Sequence, residues 1–529
     1  MKTSDSTRAL PPCPEETRTP EIAPHELEVK LECEPGKLRK LFDVGPLSAA
    51  KLHARSQRLV GAYFDTQDDK LDGAGMTLRV RKSGTRRIMT LKWTRPQERL
   101  FFRGEVEVSV NGDAPDLERF DPEIATKVLE TSDNKPLVCR FETIVRRRVA
   151  DLSLGDTRVE IAFDEGEIVS ADRSIKISEC ELELKEGDPA ALFTLAAQVA
   201  SAGLWLAPAP KAQRGYLLAR GEKPTEVRAT EPQFDPGTLV EEVIGVIIEN
   251  NIRQFLGNWP ALLESDLPES IHQMRVALRR LRAALRLFEK AFPGAGFEAF
   301  RAEAKRIADV LGGARDHDVF IALVTDGPLM AFASDESFEA LLSASEARRL
   351  HAYEIARQVV RAPETSRFVL ELQAFVASRG WRNKLGTEDL TRLGKPAHGF
   401  AADALQGLYR RARRLGKDIM GIDPEERHRL RICLKNLRYA ADFFGSLFEE
   451  PRDVKKFTKT LSALQDSLGA HNDAVVALKT VRDVEQEAGG AAHRAAGIVL
   501  GWYGRESSNP EMLLKDDWRA FKNALCFWR

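Results

Sequence analysis

Two stretches of this chain alternate charge and hydrophobe residue by residue: Glu26-Leu27-Glu28-Val29-Lys30-Leu31-Glu32 and Glu179-Cys180-Glu181-Leu182-Glu183-Leu184-Lys185. A period of two belongs to a β-strand, whose successive side chains point to opposite faces. Each stretch therefore has one charged face and one apolar face. A half-buried strand with its polar face in water looks much the same, so one such stretch decides nothing; the strands between them do. Arg79 and Arg81 share a face of Thr77–Arg81, and Lys92 lies opposite its apolar neighbours in Met89–Trp93. Arg103, Glu105 and Glu107 share another face, and Glu160 and Asp164 lie opposite Val159, Ile161 and Phe163. Carboxylates gather in the first and last strands, and Arg or Lys in the middle ones. The apolar faces need a cover. A closed barrel with a charged interior and helices packed outside meets both demands, and eight strands leave room for side chains and one small ligand. Such an interior suits a polyanion together with a divalent cation, because Arg and Lys neutralise phosphate oxygens and carboxylates hold a hard metal.

The chain is 529 residues long, too long for one hydrophobic core, which predicts two or more domains. Its 43% hydrophobic and 30% charged content is that of a soluble globular protein, and a net charge of -1 argues against general affinity for nucleic acid. No apolar run approaches the roughly 20 residues that span a bilayer. The six cysteines are scattered, without a CxxC pair, which excludes a zinc or disulfide framework and fits a reducing cytoplasm. Residues 1–22 are rich in Pro, Thr and Glu without a continuous apolar core; they read as disordered and not as a secretory signal.

The set of strands resembles the CYTH domain, the triphosphate tunnel metalloenzyme superfamily. HELEVKLE is similar to its ExExK signature through Glu26, Glu28 and Lys30. The agreement runs on through YFDT (Tyr63 to Thr66), LRVR, TLK, the Arg103/Glu105/Glu107 strand, FDEG, ECELELK and KAQRGY (Lys211 to Tyr216). The last departs slightly from the family's usual SKAERGY. The resemblance covers residues 24 to 220 and implies a domain over 23–221. Its fold would be an eight-stranded antiparallel β tunnel with flanking helices, an α+β domain that binds a triphosphate and one or two Mg²⁺ or Mn²⁺ ions. By motif, Glu26, Glu28, Asp164, Glu179 and Glu181 resemble the metal ligands, and Lys30, Arg79, Arg81, Lys92 and Lys211 the phosphate clamps. One of Arg146, Arg147 and Arg148 joins the clamps. A slip of one residue inverts a strand's faces, so period-two logic does not choose among them; Arg147 stands for the three. Glu183 and Lys185 continue the charged face toward or past the tunnel mouth. The chemistry implied is hydrolysis by metal-activated water, with the clamps setting the terminal phosphorus in line. It needs no Ser-His-Asp set and no Cys nucleophile.

Residues 222–236 hold three prolines and read as a linker. Beyond it, residues 237–529 carry a helical pattern. Met274, Leu278, Leu281, Leu285 and Phe288 form an apolar seam. Arg275, Arg279, Arg282 and Arg286 form a second stripe one residue on, about 100° round the helix. The segment recurs: His272, Arg275, Arg279 and Arg282 match His428, Arg431, Lys435 and Arg438, and the LGGARDHDV turn from Leu311 matches the LGAHNDAV turn from Leu468. Two repeated four-helix bundles follow, over about 237–395 and 396–529. A solvated helix face mixes Glu with Lys at i,i+4; this stripe is acid-free, Arg-rich and duplicated, which points to a phosphate-bearing partner. The half resembles the CHAD domain, whose family is implicated in binding inorganic polyphosphate. That implies the eight residues His272 to Arg438 named above as polyphosphate contacts. The stripe lacks interleaved aromatics, which weighs against nucleic acid.

Together the resemblances imply a cytoplasmic, metal-dependent inorganic triphosphatase that splits tripolyphosphate into pyrophosphate and phosphate, with no membrane partner. Two further readings stand beside it. The same tunnel type serves class IV adenylate cyclases and thiamine triphosphatases. Alternatively, the chain is chiefly a polyphosphate binder, taken by its helical half to polyphosphate granules, with little turnover in the tunnel.

Overall fold

The computed structural model describes residues 25–38, 41, 45–53, 55–94, 99–332, 335–506 and 511–529; the 1–22 stretch read as disordered lies outside them. Ten strands form the first half: β1 (His25–Glu32), β2 (Lys51–Leu52), β3 (Gln57–Asp65), β4 (Met76–Ser83), β5 (Arg86–Trp93), β6 (Phe102–Ser109), β7 (Val138–Leu154), β8 (Thr157–Ser170), β9 (Arg173–Glu186) and β10 (Trp205–Leu206). Neighbours run β1-β6-β5-β4-β3-β7-β8-β9, and β9 pairs back to β1, so eight strands close a ring; β10 adds to β1, and β2 to β7. Every pairing is antiparallel. The expected eight-stranded tunnel is this ring.

Its apolar faces point outward and are covered. Leu27, Val29 and Leu31 of β1 are at most 2% exposed, in one core with Leu192, Phe193 and Leu195 of the Pro189–Ala200 helix. On the opposite wall, Leu78, Val80, Met89 and Leu91 pack with Val128 of the Pro122–Thr131 helix. A third helix, Lys211–Arg220, lies over β7 and β8 and brings its first residues, Lys211 and Ala212, to the cavity wall.

Residues 222–236 form neither helix nor strand and are strapped along the helical half. The Val227 N–H donates to Asn258 Oδ1 at 2.9 Å, and Asn258 Nδ2 returns a bond to the Val227 carbonyl at 2.7 Å. The second half is helical from Val240 onward. The apolar seam of the Pro268–Ala291 helix, Met274, Leu278, Leu281, Leu285 and Phe288, is at most 1% exposed. LGGARDHDV and LGAHNDAV, read as turns, instead lie inside the long helices Phe297–Asp326 and Pro451–Ala488. Gly312 suggests a break in the sequence but serves packing: a Cβ there would come within 2.3 Å of Arg275 Nη1. Among the described residues, no helix is long and apolar enough to cross a membrane.

Candidate functional site

Inside the ring is a cavity of about 480 Å³ whose wall is rich in charged side chains. Glu26, Glu28, Lys30, Arg79, Arg81, Lys92, Arg147, Asp164, Glu181 and Lys211 all line it. Glu179 shares their face but is fully buried behind Lys211 and Arg214. Register explains the sorting. Arg147 of β7 stands opposite Asp164 of β8, and Arg146 opposite Glu165, so Arg147 takes the inner face and Arg146 the outer. Glu183 and Lys185 are also in the cavity wall rather than past its mouth, paired at 2.5 Å.

The acidic side is built against electrostatic preference. Across β1, β9 and β8 the direct partners are Glu28 with Glu183, Glu32 with Glu179, Asp164 with Glu179, and Glu160 with Glu183. Like charges directly opposite on neighbouring strands are destabilising, so four such pairs need compensation. Cations supply part of it. Arg147 holds Asp164 in a fork, Nε to Oδ1 at 2.8 Å and Nη2 to Oδ2 at 2.6 Å, and reaches Glu181 at 2.5 Å. Lys211 contacts Asp164 and Glu181 at 2.7 Å each, and Glu179 as well. Lys30 bridges Glu28 and Glu181 at 2.6 Å each. Lys92 pairs with Glu26 and, at 3.1 Å, with Glu105. Arg81 pairs with Glu107 at 3.4 Å, and Arg79 reaches Thr90 at 3.3 Å.

Burial works to raise Glu26, Glu28, Asp164 and Glu181, and the pairing decides which of them follow. Against that burial, Lys211, Lys30 and Arg147 hold Glu181 well below the ordinary carboxylate range. Lys211 and Arg147 likewise keep Asp164 low, and Lys92 and Lys30 keep Glu26 low. Glu28 goes the other way: burial, then the Glu181 charge, push it up to about 7 although Lys30 touches it. Lys30 is shared with Glu181 and so compensates Glu28 only in part. Glu28 is thus the acid of this set with no cation of its own. Asp164, Glu179 and Glu181 each offer an oxygen within 4.8 Å of the others. Hard oxygen donors this close fit one divalent cation such as Mg²⁺ or Mn²⁺.

Arg214 lies within KAQRGY but outside the clamp set that the resemblance implies. It is nearly buried and clamps two of the facing acids, Glu179 at 2.5 Å and Glu32 at 2.9 Å. Its position three residues after Lys211 on a helix is a usable sequence signal, since i and i+3 share a face.

The helical half presents its stripe as the spacing predicts. Arg275, Arg279 and Arg282 are half-buried, and none makes an ion pair among the described residues. Asp309 and Asp316 lie within electrostatic reach of Arg275, whose guanidinium instead donates to the Ala308 carbonyl at 3.1 Å. Arg279 leaves its Nε buried without a partner. His272 is half-buried, and burial together with Arg315 lowers its pKa. On the recurrent helix Pro424–Phe444, His428 is exposed, Arg431, Lys435 and Arg438 are half-buried, and Arg438 lies over the Tyr439 ring at 5.7 Å. One residue beyond the stripe, Arg280 is 5% exposed and joins the two helices, reaching Asp442 at 2.8 Å and the Phe443 ring at 5.0 Å. Sequence reading could separate Arg280 from Arg279 only by angle, and its partner sits 162 positions away.

Residues 24–216 match the CYTH domain family, and residues 246–482 the CHAD domain family. A Mycobacterium tuberculosis protein described as uncharacterized is 26% identical over 454 residues, 80% of this chain and 81% of its own. An inorganic triphosphatase of Haemophilus influenzae is 29% identical over 170 residues, 30% of this chain and 46% of that protein. The crystal structure of a CHAD domain from the plant Ricinus communis matches with a TM-score of 0.50 and 28% identity, over 57% of this chain and 98% of that domain.

Proposed function

We propose, for a chain that joins a CYTH domain (residues 24–216) to a CHAD domain (residues 246–482), that the tunnel hydrolyses tripolyphosphate to pyrophosphate and phosphate with Mg²⁺ or Mn²⁺, while the helical half binds inorganic polyphosphate. The observation that carries the reading is the divided lumen: facing carboxylates on β1, β8 and β9, and cations converging on them from β1, β5, β7 and the Lys211 helix. The similarity to an inorganic triphosphatase over 170 residues supports it.

In this mechanism Glu26, Glu28, Asp164, Glu179 and Glu181 hold the cation. When bound, it supplies charge neutralisation at the phosphoryl oxygens and activation of water. Lys30, Arg147 and Lys211 grip the phosphate nearest the acids. Arg79, Arg81 and Lys92 hold the rest of the chain of phosphates, the guanidiniums by paired N–H donors. Fixing three phosphates at once orients the reacting phosphorus, and positioning supplies most of the catalysis in phosphoryl transfer. Charged side chains from seven of the eight ring strands line the cavity, which favours a bare polyphosphate over a nucleotide or thiamine ester that needs a continuous apolar or stacking wall.

Phosphate release from tripolyphosphate, ATP and thiamine triphosphate with Mg²⁺ or Mn²⁺ tests the reading, with Glu28→Gln as control. Tripolyphosphate should turn over fastest, and Glu28→Gln should lower the rate at least about a hundredfold. A cyclic product from ATP would overturn it. No turnover of any substrate, with tight polyphosphate binding, would favour the granule-binding reading. For the helical half, Arg275→Ala with Arg431→Ala should weaken long-chain polyphosphate binding and leave tunnel turnover unchanged.

A further inference from the structure

Glu181 is the carboxylate that the phosphate-gripping cations share. Its Oε1 accepts from Lys30 Nζ at 2.6 Å and Lys211 Nζ at 2.7 Å, and its Oε2 from Arg147 Nη2 at 2.5 Å. Two ammoniums and a guanidinium converging on one pair of oxygens is the seat a phosphate group would take. Each of these cations holds a second acid too: Lys30 holds Glu28, while Arg147 and Lys211 both hold Asp164. Glu181 is 7% exposed, Asp164 and Lys211 beside it are buried, and Lys30 and Arg147 are half-buried, so a lost partner is replaced by water only in part.

We propose that Glu181 is an internal counter-ion of the phosphate clamp, and that it makes triphosphate and divalent cation bind with strong positive coupling. The inference rests on the tunnel being a triphosphate site. A triphosphate entering alone must take Lys30, Arg147 and Lys211 from Glu181. That strands Glu28, Asp164 and Glu181 beside one another and leaves Glu179 to Arg214 alone, on strands where Glu28 already faces Glu183 and Asp164 faces Glu179. Buried charge without a partner is strongly unfavourable. A divalent cation entering alone must push against two ammoniums and a guanidinium at the carboxylates it needs. When both enter, partners are exchanged: the three cations turn to phosphate, and the carboxylates turn to the metal. Far less charge is left uncompensated than when either ligand enters alone. Because linkage is reciprocal, each ligand raises the affinity of the other by the same factor.

The test is calorimetric titration of the full chain with an imido-bridged triphosphate, which resists hydrolysis, in EDTA and in Mg²⁺. Wild-type protein should bind at least about tenfold more tightly with Mg²⁺. Glu181→Gln, and Glu181→Ala as a second variant, should bind several-fold more tightly than wild type in EDTA, because the clamp is released, and should lose most of the Mg²⁺ effect. Equal wild-type affinity in EDTA and Mg²⁺, or weaker binding by both variants in EDTA, overturns the inference while leaving the triphosphate site intact. Absence of wild-type binding in both buffers overturns the triphosphate reading and the coupling with it. Should neither variant fold, the wild-type pair of titrations decides alone.

Discussion

Arg146, Arg147 and Arg148 are three adjacent arginines, and register alone puts Arg147 on the inner face. Arg147 faces Asp164 across β7 and β8, while Arg146 turns outward to Ser56. Glu28 and Glu181 differ as sharply, although the same Lys30 touches both. Glu28 is held up to about 7 by burial and the Glu181 charge, so the native state retains its proton at pH values where the unfolded chain has lost it. The fold therefore loses stability as pH rises from about 4.5 toward 7, and bears the full cost above that. Glu28→Gln removes the charge. In EDTA at pH 8 the variant should unfold at higher temperature than wild type, with a gain on the order of 2 kcal/mol. The two melting curves should converge near pH 4.5. Arg214 gives the opposite case: Arg214→Met leaves Glu179 and Glu32 facing each other and should cost about 3–5 kcal/mol by denaturant titration.

At the scale of the element, the Pro268–Ala291 helix divides its arginines by angle. Arg275, Arg279 and Arg282 lie on a stripe free of ion pairs among the described residues, while Arg280 is turned inward onto Asp442. Neighbouring substitutions should therefore separate stability from binding. Arg279→Ala should change stability by less than about 0.5 kcal/mol and weaken polyphosphate binding. Arg280→Met should destabilise by about 2–3 kcal/mol, since it leaves the half-buried Asp442 without the cation that contacts it. Gly312→Ala offers a finer probe. Alanine favours the helix by up to about 1 kcal/mol, but its Cβ would displace the Arg275 guanidinium. The melting temperature should hold or rise while polyphosphate affinity falls. His272 adds a pH signature: burial and Arg315 hold its pKa below the ordinary value, and a bound polyanion would raise it. Affinity should then strengthen as pH falls through its range, and His272→Gln should flatten the profile.

Across the whole molecule the two halves share one core. The buried cluster that starts at Leu27 and Val29 continues through Leu192 and Phe193 to Val243, Ile247 and Phe368 of the helical half. Polar ties reinforce it: Ser366 Oγ accepts the Leu206 N–H at 2.8 Å, and Arg99 meets Glu249 at 3.3 Å. Arg361 lies over the Trp205 ring at 5.9 Å, at the same edge where Glu32 meets Arg214. A shared core of this extent should melt as one unit. Calorimetry of the full chain should show a single transition across the strands and these helices, and a fragment ending at residue 221 should unfold at lower temperature.

Much of this was legible in the residue order. The period-two faces of Glu26–Glu32 and Glu179–Lys185 required strands with one charged side, and the 4,3,4,3 seam from Met274 to Phe288 required a helix buried along one stripe. Those patterns are local, and local sterics fix them. The sequence stopped at the distance over which a period can be followed. It could not choose Arg147 from its neighbours, because only the pairing of β7 with β8 sets the face. It read Gly312 as a turn, because the reason for the glycine is a guanidinium from another helix. It left Arg214 and Arg280 without roles, because Glu32, Glu179 and Asp442 reach them only after the chain has closed. Coulomb energies in a buried site depend on separations of a few ångström, and those separations are decided by tertiary structure.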